Sequence, residues 1–232
     1  AWNIKQSEKC DQLFIAPGNA GTATCGENIA IAVDDFDKLG KFCLEQKVEL
    51  VVVGPEVPLV KGIRDYFEGH EELKHILMVG PGKLGAQLEG SKDFSKKFML
   101  RNNIPTAKAI TFTSEKLEEG LDYISKCNTP VVLKADGLAA GKGVIIAHTY
   151  EEAYHAFREM LVDKKFGDAI ASVLIEEFLD GIELSVFVLT DGKGYAILPE
   201  AKDYKRIGDG DTGLNTGGMG AVSPVIFADK AF

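Results

Sequence analysis

The sequence has no apolar run long enough to cross a membrane, and its four cysteines form no paired motif. A spanning helix needs roughly 18 consecutive apolar residues, and no run in this chain approaches that length. The cysteines lie far apart without a C-x-x-C pair, which argues against a zinc knuckle and against a dense disulfide framework. These absences predict a protein of the reducing cytoplasm that does not enter a membrane.

An excess of basic residues is also missing. Against 35 Asp and Glu there are 26 Lys and Arg, a formal net charge of −9, so the surface repels polyanions and a non-specific nucleic-acid binder is excluded. The hydrolase motifs G-x-S-x-G and H-E-x-x-H are absent, and the four histidines have no metal-ligand spacing. Glycine is the one residue in excess, with 25 of 232 residues against a usual share of about 7%.

Residues 11–80 alternate short apolar runs with amphipathic stretches, a pattern typical of β-α units and a parallel sheet. Strands are predicted at 13–16, 29–33, 50–53 and 76–79. A helical pattern over 82–103 follows and predicts a connector to a second unit.

The second unit is predicted to be α+β. Its pattern indicates strands at 107–112, 131–134, 144–147, 173–177, 182–190 and 195–198, with helices at 114–127 and after the capping box Thr149-x-x-Glu152. Because Asp-Gly turns separate the last three strands, they are predicted to pair antiparallel.

The glycine-rich segment 134–144 (K-A-D-G-L-A-A-G-K-G-V) is the strongest local signal. It differs from a Walker A loop, which needs four residues before G-K, a hydroxyl residue after it and then a helix. A loop of small residues between two strands can close its amides over a triphosphate, while its lysines supply positive charge. The alternative is a long surface hairpin.

Three further segments allow two interpretations each. Residues 80–85 match G-x-G-x-x-G, but Pro81 removes an amide from the pyrophosphate position, so a dinucleotide site is not predicted. Residues 206–220 suit a small polar substrate, with Arg206 for a carboxylate or phosphate, or form a disordered surface loop. Glu176 and Glu177 lie at the end of a predicted strand. They either form the edge of a nucleotide-binding site or are merely charged residues at a strand end.

Taken together, these motifs resemble the glycinamide ribonucleotide synthetase family of the ATP-grasp superfamily, nearly end to end. The resemblance rests on A-P-G-N-A-G-T (16–22), V-G-P-E (53–56), Q-L-E-G-S-K (87–92), segment 134–144, E-E-F-L-D-G (176–181) and N-T-G-G-M-G-A (215–221). It implies an α/β fold with an N-terminal parallel-sheet, Rossmann-like pre-ATP-grasp domain followed by an α+β ATP-grasp domain. The implied ranges are 1–85 for the substrate domain, 86–106 for a helical connector, 107–180 for the ATP-grasp lid and 181–232 for the start of the central subdomain.

The resemblance also implies roles for individual residues. Lys134 and Arg206 would be catalytic. The ATP-binding residues would be Lys92, Lys134, Gly141, Lys142, Gly143, Glu176, Glu177, Leu179 and Glu183. The residues that bind the other substrates would be Asn19, Gly21, Thr22, Glu56, Asp203, Arg206, Asn215, Thr216, Gly217, Gly218 and Met219.

The implied reaction joins glycine to 5-phosphoribosylamine through glycyl phosphate, with ATP and Mg²⁺ or Mn²⁺ as cofactors, in a cytoplasmic monomer. Family members begin with a Gly-Gly-Arg-Glu-His loop, and their metal ligands follow in a later strand. We therefore expect a chain truncated at both ends, with little activity, whose metal ligands lie beyond Phe232. Tyr204 stands where many members have histidine, so no histidine role is expected there. The alternatives are another ATP-grasp ligase or transformylase, or a non-catalytic nucleotide-binding module.

Overall fold

The computed structural model describes residues 1–137, 143–163, 172–210, 212–229 and 232, with Leu214 described by its backbone alone. These residues form two compact units, Ala1–Ser95 and Lys96–Phe232. Within the described ranges, every helix is too short or too polar to span a bilayer.

The first unit alternates short parallel strands with helices. Strand β1 (Phe14–Ile15) pairs with β2 (Glu27–Asn28), and β3 (Leu50–Val52) pairs with β4 (Leu77–Val79), both in parallel. The helices are α1 (Trp2–Lys5), α2 (Phe36–Glu45), α3 (Glu56–Lys61), α4 (Ile63–Gly69) and α5 (Lys83–Gly90), with a 3₁₀ turn at Thr22–Thr24. Their core contains Cys43, Ile63, Phe67, Leu73 and Ile76. The parallel α/β pattern expected from the sequence is confirmed.

Two sequence-based boundaries in this unit are wrong. The predicted strand 29–33 does not form, because the Ile31 N–H donates to Ile29 O at 2.7 Å, a γ-turn contact that bends the chain out of the strand. The predicted helix 82–103 is two helices, α5 and α6 (Lys92–Arg101). Ser91 separates them with an extended backbone, and its hydroxyl accepts from the Phe94 N–H at 3.1 Å to cap α6.

The second unit is built on a four-stranded antiparallel sheet in the order β5-β8-β6-β7. Its strands are β5 (Ala109–Thr113), β6 (Val131–Ala135), β7 (Val144–Ala147) and β8 (Ser172–Glu177). A 3₁₀ turn at Ser114–Lys116 leads into α7 (Leu117–Ser125), and α8 (Tyr150–Leu161) follows β7. Both helices pack on one face of the sheet, where Leu121, Ile124 and Phe157 meet the buried side chains of β6 and β8.

Two antiparallel hairpins complete the described part of this unit. They are formed by β9 (Val188–Thr190) with β10 (Tyr195–Ile197), and by β11 (Lys202–Gly208) with β12 (Thr212–Val222). The predicted meander of three strands starting at β8 is wrong, because β8 already pairs with β5 on one side and β6 on the other. The first Asp-Gly pair therefore opens no hairpin, whereas the second connects β9 to β10.

Candidate functional site

A carboxylate held between two lysines lies at the end of β8. Glu176 Oε1 is 2.9 Å from the Lys96 ammonium, and Glu176 Oε2 is 2.5 Å from the Lys134 ammonium. Lys96 also donates to Thr106 Oγ1 at 2.7 Å and to the Ala107 carbonyl at 2.8 Å. We call these five residues the Glu176 cluster.

The sheet register brings Lys134 and Glu176 to the same face. Val132 pairs with Glu176, and Lys134 pairs with Leu174, in adjacent antiparallel strands. Because side chains alternate between the faces of a strand, Lys134 and Glu176 are diagonal neighbours on one face. The intervening Leu133 points to the opposite face and is fully buried in the core under α7 and α8.

The cluster carries a net positive charge that is accessible at one point. Burial raises the pKa of Glu176, but the hydrogen bonds from Lys134 and Lys96 outweigh burial and hold that pKa below its ordinary value. Two ammonium groups then face one carboxylate. Lys96 and Glu176 are 7% and 6% exposed, whereas the Lys134 side chain is 32% exposed. Among the charged groups of the described cluster, Lys134 is therefore the one that an anionic ligand can contact.

The glycine-rich segment begins directly after Lys134. The Ala135 N–H donates to the Gly143 carbonyl at 2.7 Å, so the ends of the segment are paired. Gly137 has φ +101°, and a side chain added there would meet nothing within 4 Å. The candidate residues Gly141 and Lys142 lie outside the described residues.

The segment after Glu176 contains three more candidate residues. Glu177 is exposed and accepts the Lys108 N–H at 2.8 Å, and Leu179 is also exposed. Glu183 forms an ion pair with Lys205, which also lies 3.4 Å from Asp203. The hydrogen bond from Lys205 to Glu183 is the main reason that the Lys205 pKa is raised.

The candidate substrate segment, residues 206–220, is not a loop: it comprises the end of β11, a turn that begins at Asp209, and most of β12. Arg206 pairs with Asn215 across the hairpin and donates to the Gly213 carbonyl at 3.3 Å. The Thr216 hydroxyl donates to the Lys205 carbonyl at 2.8 Å and accepts the Gly218 N–H at 3.1 Å. These bonds hold Arg206 and Thr216 in place, whereas Gly217 and Met219 are exposed on β12.

In the first unit, the A-P-G-N-A-G-T loop is held by its own side chains. Asn19 and Thr22 exchange bonds, from Asn19 N–H to Thr22 Oγ1 at 2.7 Å and from Thr22 N–H to Asn19 Oδ1 at 3.0 Å. Asn28 donates to the Asn19 carbonyl at 2.7 Å. Gly18 has φ +76°, and a Cβ there would overlap the Asn28 side chain. The loop is thus pre-formed, with Gly21 exposed on it.

We expect Thr22→Val to loosen this loop, because the Thr22 hydroxyl accepts from Asn19 and lies 2.8 Å from Asn28 Oδ1. The Asn19 N–H should lose its protection from hydrogen exchange, and stability should fall by about 1 kcal/mol. Exchange measured by NMR tests this, with Thr22→Ser as the control that keeps the hydroxyl. Equal protection in the valine and serine variants would contradict the assignment.

A cavity of about 480 Å³ lies in the first unit at the carboxyl ends of β3 and β4. Glu56, Gly54, Val60, Pro81 and Gly85 are among its lining residues. The G-x-G-x-x-G segment borders it, but Asp65 Oδ2 accepts the Lys83 N–H at 2.6 Å at the start of α5. A carboxylate thus occupies the helix N-terminus where a pyrophosphate would bind in a dinucleotide fold.

Lys92 is the first residue of α6 and is half-buried. Among the described residues, no group of three or more His, Cys, Asp or Glu side chains is arranged to hold a metal ion.

Sequence reasoning missed Lys96, Thr106 and Ala107 of the Glu176 cluster, and it missed Asn28, which holds the A-P-G-N-A-G-T loop. The signal for Lys96 was Glu176, a carboxylate at the end of the apolar run 173–175, because a buried charge needs a partner. Nothing in the local sequence identifies which lysine that partner is. Asn28 carried no signal beyond its position at the end of a short strand.

Family models match the chain along its whole length. The model of the phosphoribosylglycinamide synthetase N domain matches residues 1–89, and the model of the ATP-grasp (A) domain of the same synthetase matches residues 90–232. The phosphoribosylamine–glycine ligase of Haemophilus influenzae is 50% identical over 226 residues, which are 97% of this chain and 51% of that protein.

Solved structures show the same architecture. The phosphoribosylamine–glycine ligase of Thermotoga maritima superposes with a TM-score of 0.74 at 35% identity, over 95% of this chain and 51% of that one. The D-alanine–D-alanine ligase of Bacillus anthracis, with a TM-score of 0.55 at 17% identity over 91% of this chain and 63% of that one, shares the fold alone. The predicted order of a parallel α/β domain and an ATP-grasp domain is confirmed. The chain spans about half the length of the curated relatives it matches.

Proposed function

Because the chain belongs to the phosphoribosylglycinamide synthetase family, we propose that the whole protein joins glycine to 5-phosphoribosylamine with conversion of ATP to ADP and phosphate. The observation that carries this proposal is the Lys134 ammonium, held by Glu176 at the start of a glycine-rich segment in a sequence half identical to such ligases. An accessible ammonium at the start of a glycine-rich segment suits the phosphates of a nucleotide.

The chemistry needs no covalent nucleophile from the protein. A carboxylate oxygen of glycine attacks the γ-phosphorus of ATP, the bond to the β-phosphate oxygen breaks, and glycyl phosphate and ADP form. The amine of phosphoribosylamine then attacks the glycyl carbonyl carbon, phosphate leaves, and the amine loses a proton. The protein's task is to position the reactants and to neutralise the charge on the phosphoryl group.

Within this proposal, Lys134 and Lys92 contact the ATP phosphates, and residues 141–143 cover them. Glu177, the Leu179 backbone and Glu183 hold the nucleoside. Glu176, expected there with them, is 6% exposed and is proposed instead as the partner of Lys134. Arg206 and Asp203 serve glycine and the acyl phosphate together with residues 215–219. Asn19, Gly21, Thr22 and Glu56 serve phosphoribosylamine.

ATP-grasp ligases use ATP with a divalent metal, which lowers the negative charge of the phosphates. We propose that the whole protein uses Mg²⁺ or Mn²⁺ with ATP. The four free cysteines support the further proposal that the protein acts in the reducing cytoplasm. That it acts as a monomer is also a proposal. The subdivision of the chain at 86–106, 107–180 and 181–232 likewise stands as a proposal.

We expect glycine-dependent release of phosphate from ATP by the whole protein when phosphoribosylamine is supplied. Lys134→Ala should lower kcat/KM for ATP by about 100-fold, because it removes the accessible charge that faces the phosphoryl group. Lys126→Ala is the matched control, since Lys126 is an exposed lysine paired with Asp122 on α7.

Steady-state kinetics with each substrate varied separate the outcomes. Unchanged kinetics in Lys134→Ala would refute the role of this lysine. ADP formation that is independent of glycine in the unsubstituted protein would refute the proposed reaction and favour another ATP-grasp activity.

A further inference from the structure

Lys96 lies behind the surface of the Glu176 cluster and cannot itself bind a ligand. Its ammonium has three N–H donors, and three acceptors surround it, namely Glu176 Oε1, Thr106 Oγ1 and the Ala107 carbonyl, at 2.7–2.9 Å. The residue is 7% exposed. Lys96 therefore acts on a bound anion without touching it, chiefly by neutralising Glu176.

Glu176 competes with a phosphate for Lys134. Both are anions, and the carboxylate already lies 2.5 Å from the Lys134 ammonium. If Glu176 and Lys134 were alone, they would form a neutral pair with little attraction for a further anion, because opposite charges at contact cancel each other's field at longer range. With Lys96 present, the same carboxylate is shared between two cations, and a net charge of one positive unit remains.

Lys134 has donors to spare. Among the described residues its ion-pair partner is Glu176, which takes one of the three N–H bonds of the ammonium. About a third of the side chain is exposed. The group can therefore donate to a ligand without leaving the carboxylate that fixes its position.

We propose that Lys96 is a positioning residue that neutralises Glu176 and so keeps Lys134 both fixed and positively charged toward the polyphosphate of ATP. This inference rests on the proposed function, since it takes ATP as the ligand of Lys134. The two lysines of the cluster then have different roles. Lys134 contacts the ligand, and Lys96 sets the charge that Lys134 presents.

The test is the dissociation constant for ATP of the whole protein, measured by calorimetry without turnover. Lys96→Met keeps most of the side-chain volume and removes the charge, and it should weaken ATP binding about 10-fold, within the usual range of coupling between contacting residues. Lys96→Arg keeps the charge and should bind ATP more tightly than Lys96→Met. Lys126→Met, a charge removal at an exposed lysine just after α7, should leave the constant unchanged.

The double variant Lys96→Met with Glu176→Gln distinguishes the proposed electrostatic role of Lys96 from a purely structural one. It removes the carboxylate that Lys96 neutralises, so Lys134 regains its net charge and ATP affinity should recover relative to Lys96→Met alone. A purely structural role predicts the opposite, because a second substitution in the same cluster would weaken binding further. If Lys96→Met alone does not fold, the double variant is compared with the unsubstituted protein: its cluster keeps one positive unit on Lys134, so ATP affinity close to that of the unsubstituted protein is expected, and a large loss would overturn the inference.

Three results separate this inference from the proposed function. Equal ATP affinity in Lys96→Met and the unsubstituted protein, or a failure of the double variant to recover affinity, would overturn the inference even if the ligase is active. ATP binding that follows the expected order without glycine-dependent phosphate release would support the inference and refute the ligase. A protein that binds no ATP would overturn both.

Discussion

Replacing Glu176 by alanine should lower the free energy of unfolding of the chain by about 3–5 kcal/mol, the cost of leaving a buried charge without its partner. Lys96 would lose Glu176 Oε1 at 2.9 Å while remaining enclosed at 7% exposure. Urea unfolding followed by circular dichroism at neutral pH measures the loss. Glu119→Ala is the control, because Glu119 forms an exposed pair with Lys116, and such pairs contribute about 0–1 kcal/mol.

The pH dependence of this loss has a definite sign. The pKa of Glu176 lies below its ordinary value of 4.5 because the hydrogen bonds from Lys134 and Lys96 outweigh burial. A carboxylate with a lowered folded-state pKa stabilises the protein fully above the unfolded-state value, and the contribution disappears as pH falls through the folded-state value. The difference between the original chain and Glu176→Ala should be constant near neutral pH and shrink below about pH 4.5. A loss under 1 kcal/mol at neutral pH, or one that grows in acid, would contradict the cluster.

Replacing Phe157 by alanine should have an effect of similar size, about 3–5 kcal/mol, because it opens a cavity in the core. Phe157 is completely buried, and its ring meets Phe112 edge to face with centroids 6.0 Å apart.

On the neighbouring helix α7, a Cβ at Gly120 would overlap the Phe157 ring and lie 3.2 Å from Phe112 Cγ. Gly120→Ala alone should therefore also destabilise the chain, by about 1–3 kcal/mol.

Combining the two substitutions tests the packing directly. The alanine methyl group at position 120 would enter the space that Phe157→Ala vacates, so the double variant should lose less stability than the sum of the single variants. Neighbours that share a cavity show such coupling, by about 0.5–3 kcal/mol. Strict additivity in urea unfolding would show that Gly120 is not required by the ring.

Local patterns in the sequence predict local structure well. The capping box is one example, since Thr149 accepts the Glu152 N–H at 3.1 Å and begins α8 as expected. Even there, the Glu152 carboxylate bonds to the N–H of His148, at 2.7 Å, instead of that of Thr149. The Thr149-x-x-Glu152 spacing identified the start of the helix. The rotamer of Glu152, however, depends on how the chain leaves β7 and enters α8.

Local patterns do not predict interactions between segments that are distant in the sequence. The apolar run 173–175 predicts a strand, but nothing in it shows that both edges are occupied, so the meander after β8 was predicted in error. Lys96 lies on a helix whose local pattern is that of any amphipathic segment, and its partner is in β8. Such contacts depend on which distant segments pair in the fold. The spacing of residues in a single sequence does not show this pairing.

The alternation along β6 has a consequence for the way this chain can change. Val131, Leu133 and Ala135 belong to the core under α7 and α8, while Val132 and Lys134 face the other side with Glu176. Substitution at one of these positions disturbs one face only. Insertion or deletion of a single residue within β6 would exchange the two faces, moving Lys134 into the core and a core side chain toward Glu176. The core positions of this strand can therefore exchange one apolar residue for another more readily than the strand can gain or lose a residue.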